Sequence, residues 1–192
     1  MDISPSLNDE QVVNGISLQF ANMIRDEVKL APELAEGHWR VDSQWTGQTG
    51  SVSEISNSQI GGDDISRSFS IEMDQPHELC GGNSFASPQE HLLAALSGCF
   101  IANYSAVCAL RCISLNSIKI HMSGTTDMRG LFDISGVESS HFKDIKFVVS
   151  VAGNASPEEL QSVYEHVVKI SPNLGGLGSA TAFKTELNIV EK

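Results

Sequence analysis

Four cysteines, at positions 80, 99, 108 and 112, are the residues of this 192-residue chain best suited to carry chemistry. Cys99 lies inside a stretch from Pro88 to Cys112 that reads as one long helix with apolar residues on nearly every face. Leu92, Leu93, Leu96, Phe100 and Ile101 cannot share a single stripe, and a helix that is apolar all round is a buried one. Gly98 stands immediately before Cys99, among Ala94, Ala95, Ser97 and Ala102, so a second backbone could approach closely there. A thiol in that setting is either inert packing or a shielded reactive centre, and composition alone leaves both open. Cys99 is too far from the helix start for the dipole to lower its pKa, so an activating cation would have to come from elsewhere in the fold.

Helical geometry separates the other cysteines from it. Cys108 follows nine residues later, about 900° around the axis at roughly 100° per residue, which puts it on the opposite face. Cys112 lies about one turn further and also faces away. Cys108 and Cys112 are neighbours whose β-carbons would be about 5–6 Å apart, whereas a disulfide needs about 4 Å. Both read as small buried hydrophobes. Cys80, before Gly81-Gly82, reads as an exposed loop thiol. The six histidines show no ligand spacing, so no metal or other cofactor is expected. Gly175-Gly176-Leu177-Gly178 follows a helix and a proline rather than a strand, which makes it a poor phosphate cradle.

These residues need elements to position them. The first ten residues read as disordered. Over 11–36, Val13, Ile16, Phe20, Met23 and Ile24 are spaced for an amphipathic helix. His38–Trp45 alternates as a half-buried strand with Trp39, Val41, Ser43 and Trp45 on one face. Residues 46–64, rich in Gly, Ser, Thr, Gln and Asn, read as a hairpin or a mobile loop. Phe69, Ile71 and Met73 mark a strand that Pro76 closes. After Cys112 the period changes to two, around Ile118–Met122 and again around Ile145–Val151. Ser156-Pro157-Glu158-Glu159 is a helix start with a capping box, and Ser171-Pro172 ends that helix. Phe183, Thr185, Leu187 and Ile189 read as a last strand. Strands, helix, strands, helix, strand is an α+β order.

Bulk properties exclude some functions. The formal net charge of −12 argues against nucleic acid or an anionic membrane as partner, since both need a basic footprint. The N-terminus has no basic region followed by an apolar core, so it does not read as a signal peptide. Ser97, Asn103, Tyr104 and Ser105 interrupt the long apolar stretch and argue for burial in protein rather than membrane. Cysteines without a secretion signal point to the reducing cytosol.

The run Asp74-Gln75-Pro76-His77-Glu78-Leu79-Cys80-Gly81-Gly82, followed by Ser87-Pro88-Gln89-Glu90-His91-Leu92-Leu93-Ala94-Ala95-Leu96-Ser97-Gly98-Cys99, resembles the OsmC/Ohr family of osmotically induced and organic-hydroperoxide-resistance proteins. Asp127-Met128-Arg129-Gly130 resembles the family's D-x-R-G hairpin, and Ser156–Leu160 with Ser171-Pro172 its second helix. The resemblance covers residues 37–192 and makes 1–36 a partly helical N-terminal extension. It implies antiparallel sheets wrapped around two long central helices in an intertwined homodimer. It also implies a thiolate at Cys99 that reduces organic hydroperoxides. The family's second cysteine falls at Ser171, and its glutamate ten residues before the reactive cysteine falls at Gln89, with Glu90 one position later. Its arginine falls within Thr46–Gly50, where there is none; Arg40 and Arg67 are the nearest substitutes. The candidate site is therefore Cys99, Glu90 and Ser171, working by a one-cysteine route with an external thiol as reductant on an apolar peroxide. The alternative is a non-catalytic binder of small apolar molecules at the dimer interface, with Cys99 as packing.

Overall fold

A computed structural model describes residues 11–134, 136 and 140–178. The disordered reading of 1–10 and the strand read at Phe183–Ile189 lie outside the described residues.

The long apolar stretch is a helix because its start is strongly specified. Ser87 caps it, Pro88 occupies the first turn, and Glu90 completes a capping box. It is the second α-helix of the described residues, after a shorter one near the N-terminus. Val12–Val13 (β1) and Ile16–Ser17 (β2) form a miniature hairpin, followed by the helix Leu18–Leu30 (α1), capped by Ser17, and a single 3-10 turn at Pro32–Ala35. This corrects the reading of 11–36 as one amphipathic helix. Asn14-Gly15 takes φ of +54° and +78°, the pair of left-handed residues that a two-residue hairpin demands. Asn14 then ties the segment to the body: its amide nitrogen donates to the carbonyls of Ser105 (3.4 Å) and Ile113 (3.0 Å), and its oxygen accepts from the Leu115 N–H (2.8 Å).

Gly37–Trp39 (β3), Asp42–Gly47 (β4), Gly50–Ile60 (β5) and Asp63–Met73 (β6) form an antiparallel sheet. β5 pairs with β6 along one edge and with β4 and then β3 along the other. Of the two readings of 46–64, the structure takes the hairpin and not the mobile loop: the segment holds the β4–β5 turn, β5 and the turn into β6. Its residues have weak intrinsic β preference, and the ladders to β4 and β6 hold it extended. Register puts Trp45, Ser51 and Met73 in one row, Ser43, Ser53 and Ile71 in the next, and Ile55 opposite Phe69. That face is apolar and aromatic. The other carries Gln44, Val52 and Glu72, then Asp42, Glu54 and Ser70.

The central helix α2 runs from Pro88 to Leu110, ending two residues before Cys112. Leu115–Thr125 (β7) and Lys143–Gly153 (β8) pair as an antiparallel hairpin. Pro157–Ile170 (α3) starts on the expected Ser156/Glu159 capping box, and Pro172–Gly178 (α4) follows at once, taking in the glycine-rich run. The core lies between α2, α3 and the β7–β8 hairpin. Phe100, Tyr104, Cys108, Val163 and Val167 are wholly buried, with Ile118, Phe147 and Val149 packed against them. Positions 100, 104 and 108 recur every fourth residue, as one helical stripe must. The Phe100 and Phe147 rings meet edge to face at 4.9 Å, and the Tyr104 hydroxyl donates to the Leu160 carbonyl at 2.9 Å.

Besides that stripe, Ala109 of α2 is buried against Val13 and Leu18. By length and composition the helix is apolar enough to cross a membrane, yet Ala94, Ala95, Ile101, Ala102 and Leu110 are exposed on this chain. The β3–β6 sheet leaves Trp39 71%, Trp45 72% and Phe69 59% exposed. Among the described residues, two apolar surfaces on separate parts of the chain therefore lack a cover.

Candidate functional site

Cys99 is half-buried in the middle of α2. Ser171 ends α3 and is buried, at 2% exposure. The two side chains meet: Cys99 Sγ and Ser171 Oγ are 3.4 Å apart, in hydrogen-bond contact. Local structure explains the pairing. Pro172 cannot continue α3, so the chain turns at Ser171. Its N–H still donates to the Val167 carbonyl, and its own carbonyl accepts from the Gly175 N–H that opens α4, both at 2.9 Å. With its backbone held on both sides, the hydroxyl points at α2.

Asn103, one turn beyond Cys99, completes the contacts of the sulfur. Its Nδ2 donates to the Cys99 carbonyl at 2.8 Å and lies 3.5 Å from Sγ. Among the described residues, Ser171 and Asn103 are the hydrogen-bond partners of the Cys99 sulfur, and both are neutral. Among the described residues no cation is in hydrogen-bond contact with it. Arg67 stacks on the Phe69 ring, 4.9 Å from its centroid. Arg111 donates to the Ser162 hydroxyl. Arg129 forks onto the Asp127 carboxylate, which it holds well below the usual carboxylate range through hydrogen bonds and charge.

Glu90 is not brought to Cys99 within the chain. Its carboxylate accepts from the Ser87 N–H and hydroxyl, each at 2.7 Å, and those bonds lower its pKa. Nine residues of helix separate it from Cys99, roughly 14 Å along the axis. Gln89 accepts from Gln75 Nε2 at 3.1 Å. Gln75 is in turn part of a tight polar turn around Asp74. Asp74 Oδ1 accepts from the Thr49 hydroxyl and the Gln75 N–H, and Oδ2 from the N–H groups of Gly82 and Ser84, at 2.8–3.2 Å. The Thr49 hydrogen bond leads in holding the Asp74 carboxyl below its ordinary pKa, with the backbone donors adding to it. Only glycine fits at 81, where a Cβ would come within 1.8 Å of the Gln75 carbonyl oxygen. Thr49 and Gln89 thus form neutral polar structure where the family resemblance expects charge.

The remaining cysteines divide. Cys108 is wholly buried, as its position implies, and burial pushes its thiol up to about 11. Cys80 is exposed, as read. Cys112 is also exposed and sits past the helix end at φ +56°, which corrects its reading as a buried hydrophobe. All four thiols are free, and among the described residues no group of three or more His, Cys, Asp or Glu side chains could hold a metal. Sequence reasoning missed Asn103 as part of the site. Its signal was a lone amide four residues after Cys99 in an otherwise apolar helix.

A family model for OsmC-like proteins matches residues 81–186, which span α2, the β7–β8 hairpin, α3 and Ser171. The chain belongs to the OsmC family. Its fold is similar to that of an OsmC-like protein from Mycoplasma pneumoniae, at 15% identity and a TM-score of 0.58, over 74% of this chain and 88% of that one. It is also similar to a candidate osmotic stress induced and detoxification response protein from Psychrobacter arcticus 273-4, at 10% identity and a TM-score of 0.51, over 70% of this chain and 85% of that one. At such identities the likeness speaks to the fold, which is the expected α+β arrangement. No curated protein matches the chain.

Proposed function

We propose that this chain is a stress-defence thiol protein of the reducing cytosol in which Cys99 reduces organic hydroperoxides by a one-cysteine route. The observation that carries this reading is the environment of the Cys99 sulfur. It is partly open and touched by two groups that can donate to it, the Ser171 hydroxyl, which can also accept, and the Asn103 amide nitrogen. A thiol that merely filled space would be sealed like Cys108. Family membership supports the same reading. In the reaction the Cys99 thiolate attacks the terminal oxygen of R–OOH; the O–O bond breaks, Cys99 becomes sulfenic acid, and the alkoxide takes a proton to leave as ROH. Ser171 cannot resolve this as a disulfide. An external thiol displaces the sulfenic oxygen as water to give a mixed disulfide, and a second thiol releases reduced Cys99.

The functional unit in this reading is a homodimer. The exposed face of α2 and the aromatic face of the β3–β6 sheet are two apolar surfaces that a second copy would cover, and both are open among the described residues. A peroxide with an apolar body suits such a surrounding better than hydrogen peroxide does. Neither nucleic acid nor membrane is a partner in this reading.

A second reading rests on the absence of a cation at Cys99 among the described residues: the same site binds small apolar molecules and does no chemistry. The test is peroxide consumption with cumene hydroperoxide and with hydrogen peroxide, dithiothreitol as reductant, in wild type and Cys99→Ser. Catalytic reading: cumene hydroperoxide is consumed faster than hydrogen peroxide, and Cys99→Ser abolishes it. Equal, background consumption by both proteins would leave the binding reading. A monomeric mass in light scattering at micromolar concentration would overturn the dimer.

A further inference from the structure

Asn103 stands out because it is an amide placed in an apolar helix with its nitrogen in hydrogen-bond reach of two Cys99 atoms, the carbonyl oxygen (2.8 Å) and the sulfur (3.5 Å). A polar side chain bonding the carbonyl four residues back is ordinary in helices. The contact with sulfur is the additional feature, and the carbonyl bond fixes its sense. Turning the amide over would set Oδ1 against the Cys99 carbonyl oxygen, two acceptors at hydrogen-bond distance. The nitrogen therefore faces both groups, and an N–H donates towards sulfur whatever the protonation state of Cys99.

Ser171 behaves differently. A hydroxyl can turn: beside a neutral thiol it can accept from S–H, and beside a thiolate it can only donate. Ser171 accommodates both states of the sulfur, whereas Asn103 favours one, because a fixed N–H gains more from an anionic acceptor than from a neutral one. We propose that Asn103 is the chain's built-in thiolate donor, a neutral amide doing for Cys99 what a cation would otherwise do. The inference rests on the reactive reading of Cys99 and adds the group that makes it reactive. A neutral donor keeps its effect across the whole pH range in which the protein is folded, which a titrating group would not.

The test reads the thiol itself, so it is separable from peroxide turnover. Full-length reduced protein is alkylated with iodoacetamide at one neutral pH, and the rate at Cys99 is read by peptide mass spectrometry with buried Cys108 as internal reference. Asn103→Leu keeps the volume and removes the donor; Asn103→Asp keeps the shape and replaces the N–H by an anionic oxygen; Asn103→Gln keeps an amide. Asn103→Leu is expected to slow Cys99 alkylation by about tenfold, in line with one hydrogen bond to a charged group. Asn103→Asp slows it further, and Asn103→Gln recovers part of the rate. Thermal midpoints of Gln and Leu variants stay close to wild type. Unchanged rates in Leu and Asp variants would overturn the proposal, as would slowing in all three in step with lost thermal stability. If wild type consumes no peroxide yet the order of rates holds, the peroxidase reading fails and the role of Asn103 stands.

Discussion

Cys99 and Cys108 stand nine residues apart on one helix and meet opposite surroundings. Cys108 lies on the stripe with Phe100 and Tyr104, sealed against α3 and the β7–β8 hairpin, and burial pushes its thiol up to about 11. Cys99 lies off that stripe, half-buried, with Ser171 and Asn103 on its sulfur. The same element thus carries a thiol that burial silences and one that neighbours equip. The difference comes from the end of α3. Pro172 stops the helix where Ser171 faces Cys99, while Cys108 is sealed in the core cluster to which Val163 and Val167 of α3 belong. What decides the chemistry of a cysteine here is what the facing helix presents to it, not its depth along its own helix.

The sharpest way to extend this contrast is Ser171→Cys. Sγ of Cys99 and Oγ of Ser171 are already 3.4 Å apart, so a short inward shift reaches the roughly 2.05 Å of a disulfide. Mild oxidation should link residues 99 and 171 nearly completely, with Cys108 left as thiol; a non-reducing peptide map checks it, and a free Cys99 would mean the two helices are not held as described. The contrast breaks in the other direction with Phe100→Ala. Emptying that position should cost about 3–5 kcal/mol in denaturant unfolding and open the seal over Cys108. In wild type, alkylation of Cys108 should run about a hundredfold slower than in the unfolded chain, from the scarcity of thiolate at a raised pKa alone. In Phe100→Ala that protection should fall while Cys99 changes little. The sign with pH follows from the raised value: the folded state holds Cys108 neutral, so its contribution is full below about pH 8.5 and is lost as pH rises through about 11.

A smaller effect marks the edge of the comparison. Thr49→Val removes the leading hydrogen bond to Asp74. Because the folded-state pKa of Asp74 lies below the unfolded one, its contribution is present above the ordinary carboxylate range, near ~4, and is lost as pH falls through it. The variant should unfold at a slightly higher pH in an acid titration followed by circular dichroism, with Cys99 and Cys108 alkylation unchanged. A change in either thiol would tie this turn to the site within the chain.

Sequence made the central part of this picture legible and the margins less so. The capping signal Ser156-Pro157 placed the start of α3 because such caps are local chemistry, and the unbroken apolar run placed α2. The meeting of Cys99 with residue 171 came through family resemblance, since a contact spanning 72 residues leaves no local trace. Asn14-Gly15 was overlooked within an apparently amphipathic run, although the dipeptide itself specifies a hairpin. Residues 50–60 left hairpin and loop both open for the opposite reason: the polar residues there become strand only through ladders with β4 and β6. Trp39, Trp45 and Phe69 alternated as a buried face should, yet they stay exposed among the described residues, because alternation shows which face is apolar and not what packs on it.

The most direct measurement of the central claim is trapping of the oxidised sulfur. Reduced full-length protein treated with one equivalent of cumene hydroperoxide in the presence of dimedone should carry a sulfenic-acid adduct at Cys99 and none at Cys108, with ROH formed in equal amount. An unmodified Cys99, or an adduct found mainly at exposed Cys80 or Cys112, would contradict the assignment of Cys99 as the reacting thiol.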